Sequence, residues 1–156
     1  SVKSIDGNDY TMNFMAGILS HIEEITLFLN PCEESYKRLG EKKAPKYITW
    51  SHENRSQLIR IPAAKDEYRR IELRSPDPMC NPYAAFALLI HAGLDGIEKR
   101  MAPPNPTDLD LFTADAAVTK SLRQLPSSLG SALELAKNSD FVKSILPEEY
   151  IKFAIY

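Results

Sequence analysis

The sequence predicts an α+β fold, a partial antiparallel sheet with helices packed on one face, and three observations carry that expectation. The 156 residues suffice for one domain with a single sizeable core. Apolar residues recur at helical spacing in the first 30 residues and again beyond residue 82, where they mark amphipathic or buried helices. Between them, residues 46–73 change texture to short runs rich in Ile, Thr, Tyr and Trp, the residue types that fit a pleated, half-buried surface.

In chain order, Met15, Ile18, Leu19, Ile22 and Leu29 form the stripe of a first helix over Asn13 to Leu29. His21, Glu23 and Glu24 fall off that stripe and are expected to face solvent. Asn30 and Pro31 end the helix, because the residue before a proline is steered away from helical geometry. Three strands follow at Lys46 to Ser51, Gln57 to Ile61 and Tyr68 to Leu73, read as mostly antiparallel. In the third, Arg70, Glu72 and Arg74 alternate with Ile71 and Leu73, so a period of two sends three charges to one face and two aliphatics to the other.

Pro76 and Pro78 force an extended crossing. Asn81 and Pro82 then supply an N-cap and a first-turn proline for a second helix. That helix, Tyr83 to His91, is apolar on nearly every side and is expected to be buried, with Gly93 and Gly96 loosening its end. Pro103, Pro104 and Pro106 mark a surface connection. Leu129 to Lys137, Asp140 to Leu146 and Pro147 to Tyr156 read as short helices.

With 44% hydrophobic and 26% charged residues and a net charge of -2, the composition excludes disorder and collagen-like structure. The longest apolar run, Tyr83 to Ile90, is far short of the roughly 20 residues a membrane-spanning helix needs, so no membrane is expected. Two cysteines, Cys32 and Cys80, make neither a disulfide framework nor a zinc motif, and a cytoplasmic setting is the expectation. Ser1 is not a start codon or the head of a signal peptide, and the final apolar pattern stops without a cap; both suggest an internal piece of a longer chain.

The small net charge hides an asymmetry. Residues 35–74 hold 11 basic side chains (Lys37, Arg38, Lys42, Lys43, Lys46, Arg55, Arg60, Lys65, Arg69, Arg70, Arg74) against five acidic ones, a net of +6. The rest of the chain, with 8 basic and 16 acidic residues by subtraction from the 19 and 21 in total, sums to -8. A basic island in an acidic protein points to a localised anionic ligand rather than to nucleic acid, which favours a basic domain as a whole. Arg55, Arg60, Arg70 and Arg74 fall in or beside adjacent strands, and planar guanidinium forks suit carboxylate and phosphate oxygens. Glu72, between Arg70 and Arg74, has two readings: a rung of a salt-bridge ladder, or one ligand of a hard divalent cation beside the anion the arginines hold. His21, His52 and His91 have no metal spacing, and no glycine-rich phosphate loop exists.

Certain blocks stand out in order: Asn30-Pro31, Ser35-Tyr36-Lys37-Arg38-Leu39, Ala44-Pro45, Asn54-Arg55-Ser56, Ile59-Arg60-Ile61-Pro62, Arg69 to Arg74, Ser75-Pro76-Asp77-Pro78, Asn81-Pro82-Tyr83 and Ala92 to Ile97. Their order and spacing resemble the C-terminal catalytic region of glutamine synthetases, from about Phe14 to Ile97. The resemblance implies residues 1–156 as part of one catalytic domain, with 1–101 a family-like core and 102–156 a truncated helical C-terminal extension. It also implies a ligase that uses ATP to phosphorylate the side-chain carboxylate of glutamate, ammonia then displacing phosphate to give glutamine. Mg²⁺ or Mn²⁺ ions, two or more per site, would clamp the phosphates.

By position in the motifs, Arg38 and Arg74 resemble the arginines that hold glutamate. Arg55 and Arg60 resemble those that meet nucleotide phosphates and the transferring group, with Arg55 in a catalytic role. Arg70 resembles a nucleotide-site arginine, and Glu72 the one metal-ligand glutamate of this region. The partners implied are glutamate, ammonia, ATP and further copies in a homo-oligomer. Departures accompany the likeness: Lys43 stands where the family has a flap glutamate, for which Glu41 is the local substitute, and Asp108-Leu109-Asp110-Leu111 offers no tyrosine for adenylylation. Alone, the chain is expected to be inactive. The alternatives are a ligase joining glutamate to a larger amine, a non-enzymatic binding module derived from the same scaffold, and a general nucleotide or polyphosphate binder.

Overall fold

The structure, a computed structural model, describes residues 9–41, 44–68 and 70–152; Lys43, Arg69 and the last four residues lie outside them. Helix α1 (Tyr10–Leu29) begins where Asp9 accepts a hydrogen bond from the Met12 amide at 3.3 Å and stops at Asn30. It starts three residues before the expected Asn13, because Asp9 is a better cap than anything nearer that stripe. Its buried side, including Met15, Ile18, Leu19, Ile22, Ile25 and Leu29, is the spine of one apolar cluster.

Helix α2 (Glu33–Arg38) follows with Glu33 and Glu34 in its first turn and Lys37 and Arg38 in its last, the arrangement that suits the helix dipole. Strands β1 (Trp50–His52), β2 (Ile59–Ile61) and β3 (Glu72–Leu73) form a sheet in the order β1-β2-β3. Only β2 and β3 pair antiparallel; β1 and β2 run parallel, so the sheet is mixed. The expected strands are trimmed as well. Residues 66–68 form a short 3₁₀ turn, which shortens the third strand to two residues.

Helix α3 (Pro82–Glu98) opens on the Asn81 cap and runs well past the expected His91. Gly93 and Gly96 do not loosen it. They lie where α3 crosses α1: a Cβ at Gly17 would overlap the Ala92 carbonyl, one at Gly96 the Asn13 carbonyl, and one at Gly93 the Phe14 ring. Glycine here permits the two backbones to approach. Helices α4 (Ala116–Thr119), α5 (Leu129–Asn138), α6 (Asp140–Ile145) and α7 (Glu148–Lys152) complete the chain. Leu129, Ala132, Ala136, Val142 and Ile151 join the same cluster as α1, so residues beyond 102 share the core rather than trail from it. Among the described residues, no helix is long and apolar enough to cross a membrane.

Two expectations of exposure are corrected. His21 is mostly buried, stacked on Phe141 at 3.8 Å between ring centres, with Nδ1 2.5 Å from Glu24 Oε1 and Nε2 2.9 Å from Asp95 Oδ2. Glu24 also accepts from the Ser139 hydroxyl, and Glu23 pairs with Arg123. These off-stripe charges therefore tie α1 to α3, to α6 and to the segment before α5. The opposite correction applies to α3: Tyr83, Phe86, Ile90 and Leu94 are 86%, 63%, 52% and 51% exposed. The helix is apolar all round, as the sequence indicates, but only one side is covered.

Candidate anion-binding site

The strand register brings the charged residues together. Arg60 on β2 and Glu72 on β3 are direct partners, and the guanidinium donates to Glu72 Oε2 from Nη2 at 2.6 Å and from Nε at 3.0 Å. Arg74 lies just beyond β3, its backbone N–H donating to the Leu58 carbonyl at 2.9 Å. Its Nε is 3.8 Å from Glu72 Oε1. One carboxylate thus sits between two arginines whose side chains are only 15% and 14% exposed.

Arg74 is the less satisfied of the two. Its Nη1 is buried without a hydrogen-bond partner. Burial pushes its pKa down, Glu72 pulls it up, and the cations Arg60 and Arg55 push it down again; the net direction is downward. A buried guanidinium with an open donor, facing two like charges, is a strong attractor for an added anion.

Arg55 approaches the same place from the loop between β1 and β2. It is exposed, and its loop is fastened at the back. Asn54 donates to the Asp108 and Leu109 carbonyls at 2.9 and 3.1 Å, and its Oδ1 accepts from the Ser56 amide and hydroxyl at 2.9 and 2.8 Å. Gln57 donates to Leu109 at 2.8 Å, and Ser56 Oγ accepts from the Leu111 amide at 2.9 Å. Glu53, at φ 64°, makes the left-handed turn into this loop. Held off the sheet in this way, the chain re-enters β2 in the direction it left β1, which accounts for the parallel pair.

The remaining candidates are placed differently. Arg38, at the end of α2, spends its guanidinium inside the protein: Nε donates to Asp77 Oδ2 at 3.1 Å, and Nη2 donates to Asn30 Oδ1 at 2.8 Å and to the Ser75 carbonyl. This knot ties α2 to the residue after Arg74. Burial alone would raise the Asp77 carboxyl, but the Met79 amide, Ser35 and Arg38 outweigh it and hold the pKa below the usual carboxylate value. Arg70 is exposed, its Nη1 donating to the Tyr68 carbonyl at 3.1 Å. With β3 starting only at Glu72, Arg70 does not extend the Glu72–Arg74 face as a third strand position. Glu41 is exposed on the tight loop that Gly40, at φ +87°, turns.

The metal reading was tested on the donor set. Both Glu72 oxygens face arginines, and among the described residues no three His, Cys, Asp or Glu side chains gather where they would hold an ion. These residues do not build a metal site by themselves.

Sequence reasoning did not find Asn54 as the anchor of the Arg55 loop, or residues 108–111 as its support. Asn at the head of a turn is the available signal, since its short amide bonds backbone two residues on. The partner strand of carbonyls lies more than 50 residues away and leaves no mark in the pattern.

An α+β chain that sets two inward arginines around one carboxylate, with a third arginine on a braced loop, defines part of a binding surface for phosphate and carboxylate groups. Residues 3–155 match the family described as glutamine synthetase, catalytic domain, and the chain belongs to that family. It is 47% identical over 140 residues to the glutamine synthetase of Methanosarcina mazei, covering 88% of this chain and 31% of that one. The Thermococcus kodakarensis glutamine synthetase is 41% identical over 152 residues, with 96% of this chain and 34% of that one covered. A solved structure titled as a GmaS/ADP complex superposes with a TM-score of 0.81 at 30% identity, over 99% of this chain and 37% of that chain. An apo GmaS structure gives 0.79 at 31% identity. The chain spans about a third of the length of these relatives.

Proposed function

We propose that this chain supplies the arginine wall of the active site of an ATP-dependent ligase that makes glutamine from glutamate and ammonia through a γ-glutamyl phosphate. The observation that carries the reading is the Glu72-centred pair, in which Arg74 keeps a buried donor open and Arg60 is held in line across the sheet. Positive charge fixed in advance, in a place with little water, is the main means by which a protein stabilises a transferring phosphoryl group.

In this reading Arg74 and Arg38 serve the glutamate carboxylates, Arg74 by direct contact and Arg38 by fixing the Ser75 backbone next to it. Arg60 and the loop-borne Arg55 face the nucleotide phosphates and the moving group, with Arg70 at the nucleotide's edge. Glu72 orients Arg60 and Arg74. It is also the one carboxylate this chain would lend to Mg²⁺ or Mn²⁺, whose remaining ligands come from other polypeptide. A cytoplasmic homo-oligomer belongs to the same proposal.

The test is an assay of glutamine formation with glutamate, ammonia and Mg-ATP. The isolated chain is expected to be inactive, because it does not build the cation site; turnover by it would overturn the reading. In a full-length protein carrying this sequence, Arg74→Ala is expected to lower kcat/KM by a few powers of ten, in line with roughly 2–5 kcal/mol for one partner of a desolvated charge pair. Unchanged kinetics would make Arg74 structural. Turnover with a polyamine but not with ammonia would instead establish the larger-amine ligase.

A further inference from the structure

Helix α3 carries apolar residues on two opposite sides. One side, with Ala84, Ala85, Leu88 and Ala92, is buried against α1. The other presents Tyr83, Phe86, Ile90 and Leu94, spaced by three, four and four residues and therefore aligned on one face at about 100° per residue. Each is at least half exposed, and Met79, just before the helix, is 73% exposed. One turn beyond Leu94, Ile97 continues the stripe into a cavity of about 390 Å³ that it shares with Tyr10, Phe14 and Ile71.

A bare stripe of two aromatics and two aliphatics, ending in an apolar cavity, amounts to several hundred Å² on the order-of-magnitude scale at which exposed apolar surface marks an interface. A helix that is apolar all round belongs inside a larger structure. The relatives exceed this chain threefold in length, and the match leaves 69% of the Methanosarcina mazei protein beyond the 31% that is covered. We infer that the outer face of α3, together with the Tyr10–Phe14–Ile71–Ile97 cavity, is the docking surface for that remaining catalytic polypeptide. The occupant is another part of the same family's chain, not a second copy of this one. The inference rests on family membership and on the exposed face, and is independent of the reaction proposed above.

The experiment is site-specific thiol labelling. Phe86→Cys and Leu94→Cys are made in the isolated chain and in a chimera in which this chain replaces the matched third of the Methanosarcina mazei protein, and maleimide incorporation at each position is followed by peptide mass. Leu135→Cys on α5, where Leu135 is 43% exposed, is the control. The expected result is rapid labelling of all three in the isolated chain, and slowing by roughly tenfold or more at positions 86 and 94 alone in the chimera, as for the desolvated centre of an interface. Equal labelling in both contexts overturns the inference. So does protection at 86 and 94 in the isolated chain with a dimer mass, which would assign the face to a second copy. A chimera that does not fold also counts against it, since a face built for that polypeptide should accept it at 47% identity.

Discussion

Arg60 and Glu72 face each other across the antiparallel pair β2–β3, and a single carboxylate oxygen accepts both guanidinium bonds, at 2.6 and 3.0 Å. The other oxygen is left to Arg74 at 3.8 Å. Glu72 is thus the only charge separating two nearly buried cations, and that arrangement dictates the first two predictions.

Glu72→Gln leaves Arg60 and Arg74 to repel each other. Because Glu72 is about one-third exposed, the loss is discounted for solvent to about 1 kcal/mol. Urea denaturation should show it as a lower midpoint with the slope unchanged. A midpoint equal to wild type would mean that water already screens the pair.

Arg74→Met acts in the other direction. It removes a buried cation with an open donor and fills the space with an unbranched apolar side chain, and such replacements are often neutral or stabilising by about 1 kcal/mol or more. Unfolding of this variant should occur at the same or a higher urea concentration. A loss of about 2 kcal/mol or more would assign Arg74 to the fold rather than to a ligand.

Gly17→Ala or Gly96→Ala drives a methyl group into a carbonyl of the facing helix. Overpacking of this sort costs about 1–3 kcal/mol, and here rigid backbone must yield, so about 3 kcal/mol is expected. Gly130→Ala is the contrast, since a Cβ there meets nothing nearer than Ser128 Oγ at 4.0 Å. Thermal melts should place it level with wild type or up by about 0.5–1 kcal/mol from helix propensity.

Acid should open two joints. At Asp95, burial pushes the pKa up, but the hydrogen bonds to His21 and Lys99 and the charges of both outweigh it, and the net direction is down; Asp77 is depressed likewise. A carboxylate with a lower folded than unfolded pKa binds fewer protons when folded, so its stabilisation is complete above the ordinary carboxylate pKa and lost as pH falls through the folded value. Stability measured by denaturant titration should fall in that acid window, and Asp77→Asn and Asp95→Asn should each flatten the fall. An unchanged acid profile in both variants would place the acid sensitivity elsewhere.

Asn54→Ala releases the Arg55 loop from residues 108–109 without touching an arginine. A positioning role predicts that, in a full-length protein of this sequence, KM for ATP rises and kcat falls while stability drops by only about 1–2 kcal/mol. Asn54→Asp keeps the acceptor used by Ser56 and loses the donors, and should lie between. Kinetics that track stability alone would reduce Asn54 to a turn residue.

Much of the fold was written in local pattern. The stripe of α1, the Asn81–Pro82 start of α3, the three late helices and the existence of three short strands all follow from spacing and capping chemistry, which act within a few residues. The period-two placement of Glu72 and Arg74 on one face was legible for the same reason, and the ordered motifs named the family. What the sequence left open depends on partners distant in the chain. Parallel pairing of β1 with β2 requires the 108–111 carbonyls that hold the intervening loop aside. His21 leaves solvent only because α3 and α6 bring Asp95 and Phe141 to it. Gly93 and Gly96 read as helix breakers until α1 is seen to need their missing side chains. Whether the second apolar side of α3 is covered is a property of its surroundings, which only the tertiary structure displays.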